Sequence, residues 1–477
     1  MSIPFGTDGW RGVIAEDCTF SAVRRVAAAA ARFYGRATGQ GDASRVVIGH
    51  DTRFFSPEFA EAAAEVFARA GVEVLLTDRP IPTPAVSWHV RRLGLAGGVA
   101  ITASHNPAPY NGFKMKAHFG GSAPPEAYDG IAKEADLPLP EASRAGKVLK
   151  MDLLGPYRDH LASLVRLDAI RSAGLKVLAD SLHGAAGTLV ADIVNGGATR
   201  VLPFRADRDV LFGGVHPEPI AANLSASAEK VRSEGLDLAV AHDGDADRLG
   251  VLDRRGEFVS PHRVLALLLL HAFRRRGLTG GIAKTFSTSL LIDRVARALG
   301  AQLHETAIGF KYIAELMNSG EVSAGGEESG GYAFAFHLPE RDGVLNALLL
   351  IESLASAGKD LDGALGDLAS EFGVFSYGRR DVYLPVPLIR DFLRDIRSHP
   401  PRQIAENFLT ETRETDGVKY VLGEEGWLLH RLSGTEPMIR LYCEHTSENA
   451  VQRILDAAQD RLAKFARDRG AEPRSHV

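Results

Sequence analysis

The sequence predicts an α/β protein: three similar mixed α/β domains followed by a smaller C-terminal α+β domain. Short β-branched runs alternate with Ala-, Leu- and Arg-rich helical stretches, the texture of layered α/β units with mainly parallel sheets. That series recurs three times at uneven spacing, which excludes a solenoid of fixed period. After about residue 375 the texture changes to strands and two longer helices. A chain of 477 residues has room for roughly three or four domains at about 150 residues each.

The first unit, residues 1–150, reads as strand 46–49, helix 58–70, strand 72–76 and strand 97–101, with Ser56 and Pro57 as the helix start signal. The last of these strands runs straight into Ser104. The second, 151–255, has strands at 175–179 and 199–204, then 236–240 ending at Asp243. The third, 256–372, has strands at 281–285, 302–304 and 321–324, the last leading into Gly325-Gly326-Glu327. Each unit thus delivers one loop from a strand's carboxyl end, where open α/β sheets place ligand-binding groups. The fourth, 373–477, has strands at 377–384, 427–430 and 439–443, helices at 386–399 and 448–467, and a polar tail from Asp468 expected to lack structure.

Composition excludes several function classes. A net charge of −5 leaves no excess of Lys and Arg to neutralise nucleic-acid phosphates. The longest apolar run, Val264 to Phe273, is too short to span a bilayer and reads as a core helix. No basic region precedes an apolar segment at the N-terminus, and Cys18 and Cys443 lack metal or disulfide spacing. A cytoplasmic protein with two reduced thiols is expected.

Two runs carry the chemistry. Thr102-Ala103-Ser104-His105-Asn106-Pro107 puts a hydroxyl in a turn after an apolar strand, and Asn111-Gly112-Phe113-Lys114 adds a further turn and a cation. As composition alone it is a polar turn. No G-x-S-x-G elbow surrounds Ser104, which disfavours a Ser-His-Asp triad. Asp243, Asp245 and Asp247 alternate, so their carboxylates can converge on one point, where a hard cation such as Mg²⁺ would relieve their repulsion. An EF-hand needs Gly at the sixth loop position and Glu at the twelfth; Arg248 and Arg254 stand there. A solvated acidic turn is the alternative. Together the runs make a coherent site if Ser104 carries a phosphoryl group beside a cation, the mark of a phosphoryl-transfer enzyme.

Three more runs supply polar groups. Gly325 to Gly331 combines flexible backbone with acceptors suited to sugar hydroxyls, and lacks the ending of a Walker A loop. Arg431-Leu432-Ser433-Gly434-Thr435-Glu436-Pro437 offers a guanidinium and hydroxyls to a phosphate, or is a Ser/Thr turn with a surface Arg. Gly6-Thr7-Asp8-Gly9-Trp10-Arg11-Gly12 is either a turn or an anion contact.

Taken in order, these five runs resemble the α-D-phosphohexomutase family of phosphoglucomutases, phosphomannomutases and phosphoglucosamine mutases, across Gly6 to Arg440. The resemblance implies four domains around a central cleft, one loop from each. It implies a phosphoserine at Ser104, and Mg²⁺ held by Asp243, Asp245, Asp247 and a phosphoserine oxygen. Glu327 and Ser329 would grip sugar hydroxyls; Arg431, Ser433, Gly434 and Thr435 would hold the non-reacting phosphate. Thr7, Arg11, His105, Lys114, Arg248 and Lys311 would line the cleft, with Arg11, His105 and Lys114 close to the chemistry.

The implied reaction moves the phosphoryl group from Ser104 to a hexose 1- or 6-phosphate, through a hexose 1,6-bisphosphate that also serves as activator. Gly331 and Glu328 make the sugar loop more similar to the glucose branch than to the dual-specificity or glucosamine branches, whereas Arg341 departs from the Lys that some glucose members carry there. Interconversion of glucose 1-phosphate and glucose 6-phosphate is therefore expected, with a dual-specificity phosphomannomutase/phosphoglucomutase or a phosphoglucosamine mutase as the alternative. Arg341 cannot give up its proton, so the general-base role is expected of Lys114. The sequence points to no nucleic-acid or membrane partner, and to a monomer or dimer. A catalytically silent sugar-phosphate-binding protein is disfavoured, because the nucleophile and all three acids are present.

Overall fold

The computed structural model describes residues 5–6, 8–37, 44–142, 144–434 and 436–475. Its first sheet has seven strands, ordered Phe5–Gly6, Gly9–Val13, Tyr110–Ala117, Gly97–Ile101, Arg45–His50, Glu73–Thr77, Val148–Met151. The last four run parallel to one another, and Tyr110–Ala117 returns antiparallel beside Gly97–Ile101. Val46, Val47 and Ile48 are buried, as expected of a parallel strand covered by helices on both faces.

The next two sheets repeat this construction. In one, Arg200–Phe204, Lys176–Asp180 and Leu238–His242 are parallel, and Leu249–Asp253 turns back antiparallel. In the other, Leu303–Thr306, Gly281–Thr285 and Val322–Gly326 are parallel, and Tyr332–Phe334 turns back. Each loop that these units deliver is therefore the tip of a hairpin between a parallel strand and its antiparallel neighbour. Asn111–Lys114 is corrected here: it lies inside the strand Tyr110–Ala117, not in a turn.

The C-terminal sheet is antiparallel throughout, with Ser376–Tyr383, Gly426–Leu432 and Met438–His445 at its centre. The helices Val386–Ser398 and Glu448–Arg467 pack against it. The tail is not free: Arg474–Ser475 pairs antiparallel with Val382 and Tyr383. One apolar core is continuous through the first three units, from Val47 through Val240 and Leu265 to Phe372. The last unit has its own, around Phe392, Val418 and Ile454. Among the described residues, no helix is long and apolar enough to cross a membrane.

Candidate active site

Ser104 sits at the turn of the first hairpin with φ +55°, a conformation that a non-glycine residue adopts only when its surroundings impose it. They do so here. The Ser104 N–H donates to Thr102 Oγ1 at 2.8 Å, and Thr102 donates to Asp51 Oδ2 at 2.6 Å. The fully buried Arg53 guanidinium is paired with Asp51 and donates to the carbonyl oxygens of Ser104, Asn106, Pro107 and Tyr110.

The second hairpin brings the acids to this loop. Ser104 Oγ lies 3.0 Å from Asp243 Oδ2 and 3.3 Å from His105 Nδ1. Gly244 allows the approach: a Cβ there would lie 2.5 Å from the Ser104 carbonyl oxygen. Asp243 Oδ1 accepts the N–H groups of Asp247 and Arg248, which closes the acidic loop on itself. Asp243, Asp245 and Asp247 are fully buried, each with a carboxylate oxygen within 4.8 Å of the others'. Among the described residues, Asp245 Oδ1 and Asp247 Oδ1 have no hydrogen-bond partner. Buried acceptors left unpaired are costly, and this hard oxygen set fits a divalent cation. Burial first, then Asp247 and Asp245, pushes the Asp243 carboxyl well above the usual carboxylate range.

Lys114 ties the two hairpins together. Its ammonium lies 2.8 Å from Asp245, 3.2 Å from Asp8 and 3.3 Å from Asp247. Burial works against its charge, but the three carboxylates outweigh burial and push it above the usual lysine range. The sequence leads one to expect Lys114 as the general base; here the three carboxylates favour its charged form. His105 is the opposite case. Burial, helped by Arg248, Arg11, Lys114 and Arg53, holds it well below the usual histidine range and therefore neutral.

Above the buried centre opens a cleft of about 380 Å³ lined by residues from all four units. Arg11, His105, Arg248, Lys311, Glu327, Ser329, Arg431, Ser433 and Gly434 all line it. Arg11 donates to Asn106 Oδ1, and Arg248 faces Glu218. Glu327 accepts from the Gly309 N–H at 3.2 Å, and burial pushes its carboxyl up to about 7. Arg431 is steadied by Asp416 at 3.0 Å. Thr7 and Thr435 lie outside the described residues.

Models of the phosphoglucomutase/phosphomannomutase alpha/beta/alpha domains I, II and III match residues 2–137, 155–256 and 260–372. The C-terminal domain of the same group matches residues 396–461. The chain belongs to the α-D-phosphohexomutase family.

A phosphohexomutase is an intramolecular phosphotransferase acting on sugar phosphates, and whole-length relatives agree with that class. A phosphoglucomutase/phosphomannomutase of Thermococcus kodakarensis is 30% identical over 459 residues, covering 95% of this chain and 96% of its own. A phosphoglucosamine mutase of Frankia casuarinae is 33% identical over 476 residues, covering 97% and 98%. A crystal structure from Thermus thermophilus, whose phosphomannomutase name is provisional, superposes with a TM-score of 0.85 at 36% identity, covering 96% of this chain and 99% of that one.

In this phosphohexomutase the sequence reading missed four cations. Arg53 builds the serine turn, Lys116 pairs with Glu340 at 2.6 Å, and Arg379 and Arg440 line the cleft beside Arg431. Arg440 lies within reach of inference, three residues past the phosphate-type loop in a strand. Arg53 has only Asp51 as a local partner, and the four carbonyls that give it its role lie far along the chain.

Proposed function

We propose that this phosphohexomutase interconverts glucose 1-phosphate and glucose 6-phosphate, with the phosphoryl group carried on Ser104. One observation carries the reading. The Ser104 hydroxyl lies 3.0 Å from Asp243 beneath one side of a cleft whose lining also holds Arg431, Ser433, Arg379 and Arg440. A reacting end and a separate anion end suit a molecule that is phosphorylated at one end and reacts at the other. The fit of the carboxylates argues for Mg²⁺ on Asp243, Asp245 and Asp247, where it would neutralise charge on the transferred group.

In the forward half, the bond between Ser104 Oγ and phosphorus breaks as one forms to the free sugar hydroxyl. That hydroxyl's proton is lost to a nearby base; the neutral His105 imidazole, 3.3 Å from Oγ, is the nitrogen base best placed for it. Arg11, Arg248 and Lys114 supply fixed positive charge around the transfer, which depends mainly on positioning and charge neutralisation. The hexose 1,6-bisphosphate then exchanges ends, so the loop at Arg431 and Ser433 must recognise phosphate rather than sugar. Glu327, Glu328 and Ser329 face the sugar. Cytoplasmic sugar phosphates are the pool it would draw on.

The second reading, a phosphoglucosamine mutase or dual-specificity phosphomannomutase/phosphoglucomutase, is favoured by the names of the whole-length relatives. Turnover of glucose 1-phosphate, mannose 1-phosphate and glucosamine 1-phosphate, each with trace bisphosphate and Mg²⁺, separates them. Glucose 1-phosphate preferred by about tenfold or more, a difference of roughly 1.4 kcal/mol in the barrier, supports the first reading. Equal rates on mannose and glucose phosphates, or a preference for glucosamine phosphate, would sink it.

A further inference from the structure

Gly331 ends the sugar loop, and its glycine identity has a spatial cause. Its neighbour Gly330 has φ +88°, whereas Gly331 has no positive φ, so the backbone places no demand for glycine at 331. A Cβ at 331 would lie 2.3 Å from Cδ and 2.9 Å from Cγ of Arg341. The Arg341 side chain therefore passes through the volume that a residue at 331 would fill.

The guanidinium delivered by that route is nearly buried and touches three hairpins' worth of chemistry. Its Nη2 lies 2.8 Å from Asp247 Oδ2 and 2.9 Å from Asp8 Oδ2. Its Nη1 lies 3.5 Å from Glu327 Oε2, its Nε lies 3.5 Å from Glu340, and it stands over the Phe310 ring. With Asp247 Oδ2 held by Arg341 and Lys114, the other oxygen, Oδ1, has no hydrogen-bond partner among the described residues and only the Arg248 Nε at 4.0 Å as a charged neighbour. A planar fork can hold several carboxylates at once; an ammonium is a single point charge.

We propose that Arg341 is a positioning residue that sets the sugar loop against the phosphoryl centre, and that Gly331 is the space that admits it. The same group orients Asp247 toward the cation position and holds Glu327 toward the sugar, so the two sites share one support. The inference rests on the proposed phosphoserine mutase reading.

Two measurements test it: Mg²⁺ titration of the dephosphorylated protein by calorimetry, and KM on whichever hexose phosphate is turned over fastest. R341K is expected to weaken Mg²⁺ binding and raise KM, each about tenfold, the lower end of what outer-sphere partners of a metal ligand contribute. G331A is expected to do the same in the parent protein, yet to change neither quantity more than about twofold in an R341A background. R341K keeps a cation among the carboxylates and carries the test should R341A fail to fold. Loss of only one of the two affinities, or G331A effects that persist undiminished in R341A, would overturn the proposal. The titration needs no sugar, so a wrong sugar assignment leaves this result readable.

Discussion

Arg53 Nη2 donates to the carbonyl oxygen of Ser104 at 2.6 Å, while Asp51 holds the same guanidinium from behind at 3.0 Å. The serine's position is thus set by a buried ion pair from the loop after the neighbouring strand. Arg53→Ala leaves Asp51 without its cation and takes one donor from each of four carbonyls, a cost of about 3–5 kcal/mol for a broken buried pair. Arg53→Lys keeps the charge but cannot reach all four carbonyls. We expect it to fold and to lose on the order of a hundredfold in kcat, the penalty of a misplaced reacting group. Thermal melts and steady-state rates on the two variants check this; a fully active Arg53→Lys would show that the clamp is dispensable.

Ser104→Ala is expected to abolish mutase turnover and the mass increment of one phosphoryl group. Gly244→Ala tests the approach of the acidic loop, because its Cβ would fall 2.5 Å from the Ser104 carbonyl oxygen. Intact-mass analysis after incubation with hexose bisphosphate is expected to find little phosphoprotein in either variant. Full labelling of Gly244→Ala would mean that the two hairpins can part without harm.

Asp243 gives opposite signs with and without cation. Its carboxyl is pushed up by burial, then by Asp247 and Asp245. Asp243→Asn removes that repulsion, so the metal-free variant is expected to melt above the metal-free parent. The parent gains about 2.7 kcal/mol at a cation concentration about one hundred times Kd, and the variant is expected to gain almost none. Melting curves with EDTA and with Mg²⁺ decide this. An undiminished Mg²⁺ shift in Asp243→Asn would remove the residue from the cation site.

Glu327 predicts a pH dependence. Burial, partly offset by Arg341, moves its carboxyl from 4.5 to about 7. Below that pH it carries a proton and accepts poorly from a sugar hydroxyl; above it, it is an ionised acceptor. The value of kcat/KM is therefore expected to rise with pH through about 7. For stability the sign is reversed: the folded state holds this proton more tightly than the unfolded chain, so its contribution declines as pH rises from 4.5 to about 7. In Glu327→Gln the acid limb of the rate profile should vanish; an unchanged limb would assign it to another group.

Local pattern reveals only part of this architecture. The helix Glu448–Arg467 and the parallel strands were legible because apolar period and capping signals act over a few residues. The Ser104 and Asp243 runs were legible because adjacent acids and an isolated loop hydroxyl have few other uses. What escaped depends on residues meeting across the chain. Lys114 looks like a candidate base in sequence, and its three carboxylate partners, Asp8, Asp245 and Asp247, are met only across the fold. The tail strand Arg474–Ser475 is polar and owes its place to pairing with Val382 and Tyr383, which no local pattern signals.

One apolar cluster joins the first three units, and each also has a cluster of its own, around Phe59 and Phe113, around Leu178 and Val231, and around Phe310 and Ile313. A cavity opened at Val240 or Leu265 lies in the cluster that joins the three units, whereas one at Phe392 lies in the core of the C-terminal unit. A mutation's address then decides whether its strain spreads from unit to unit or stays within one.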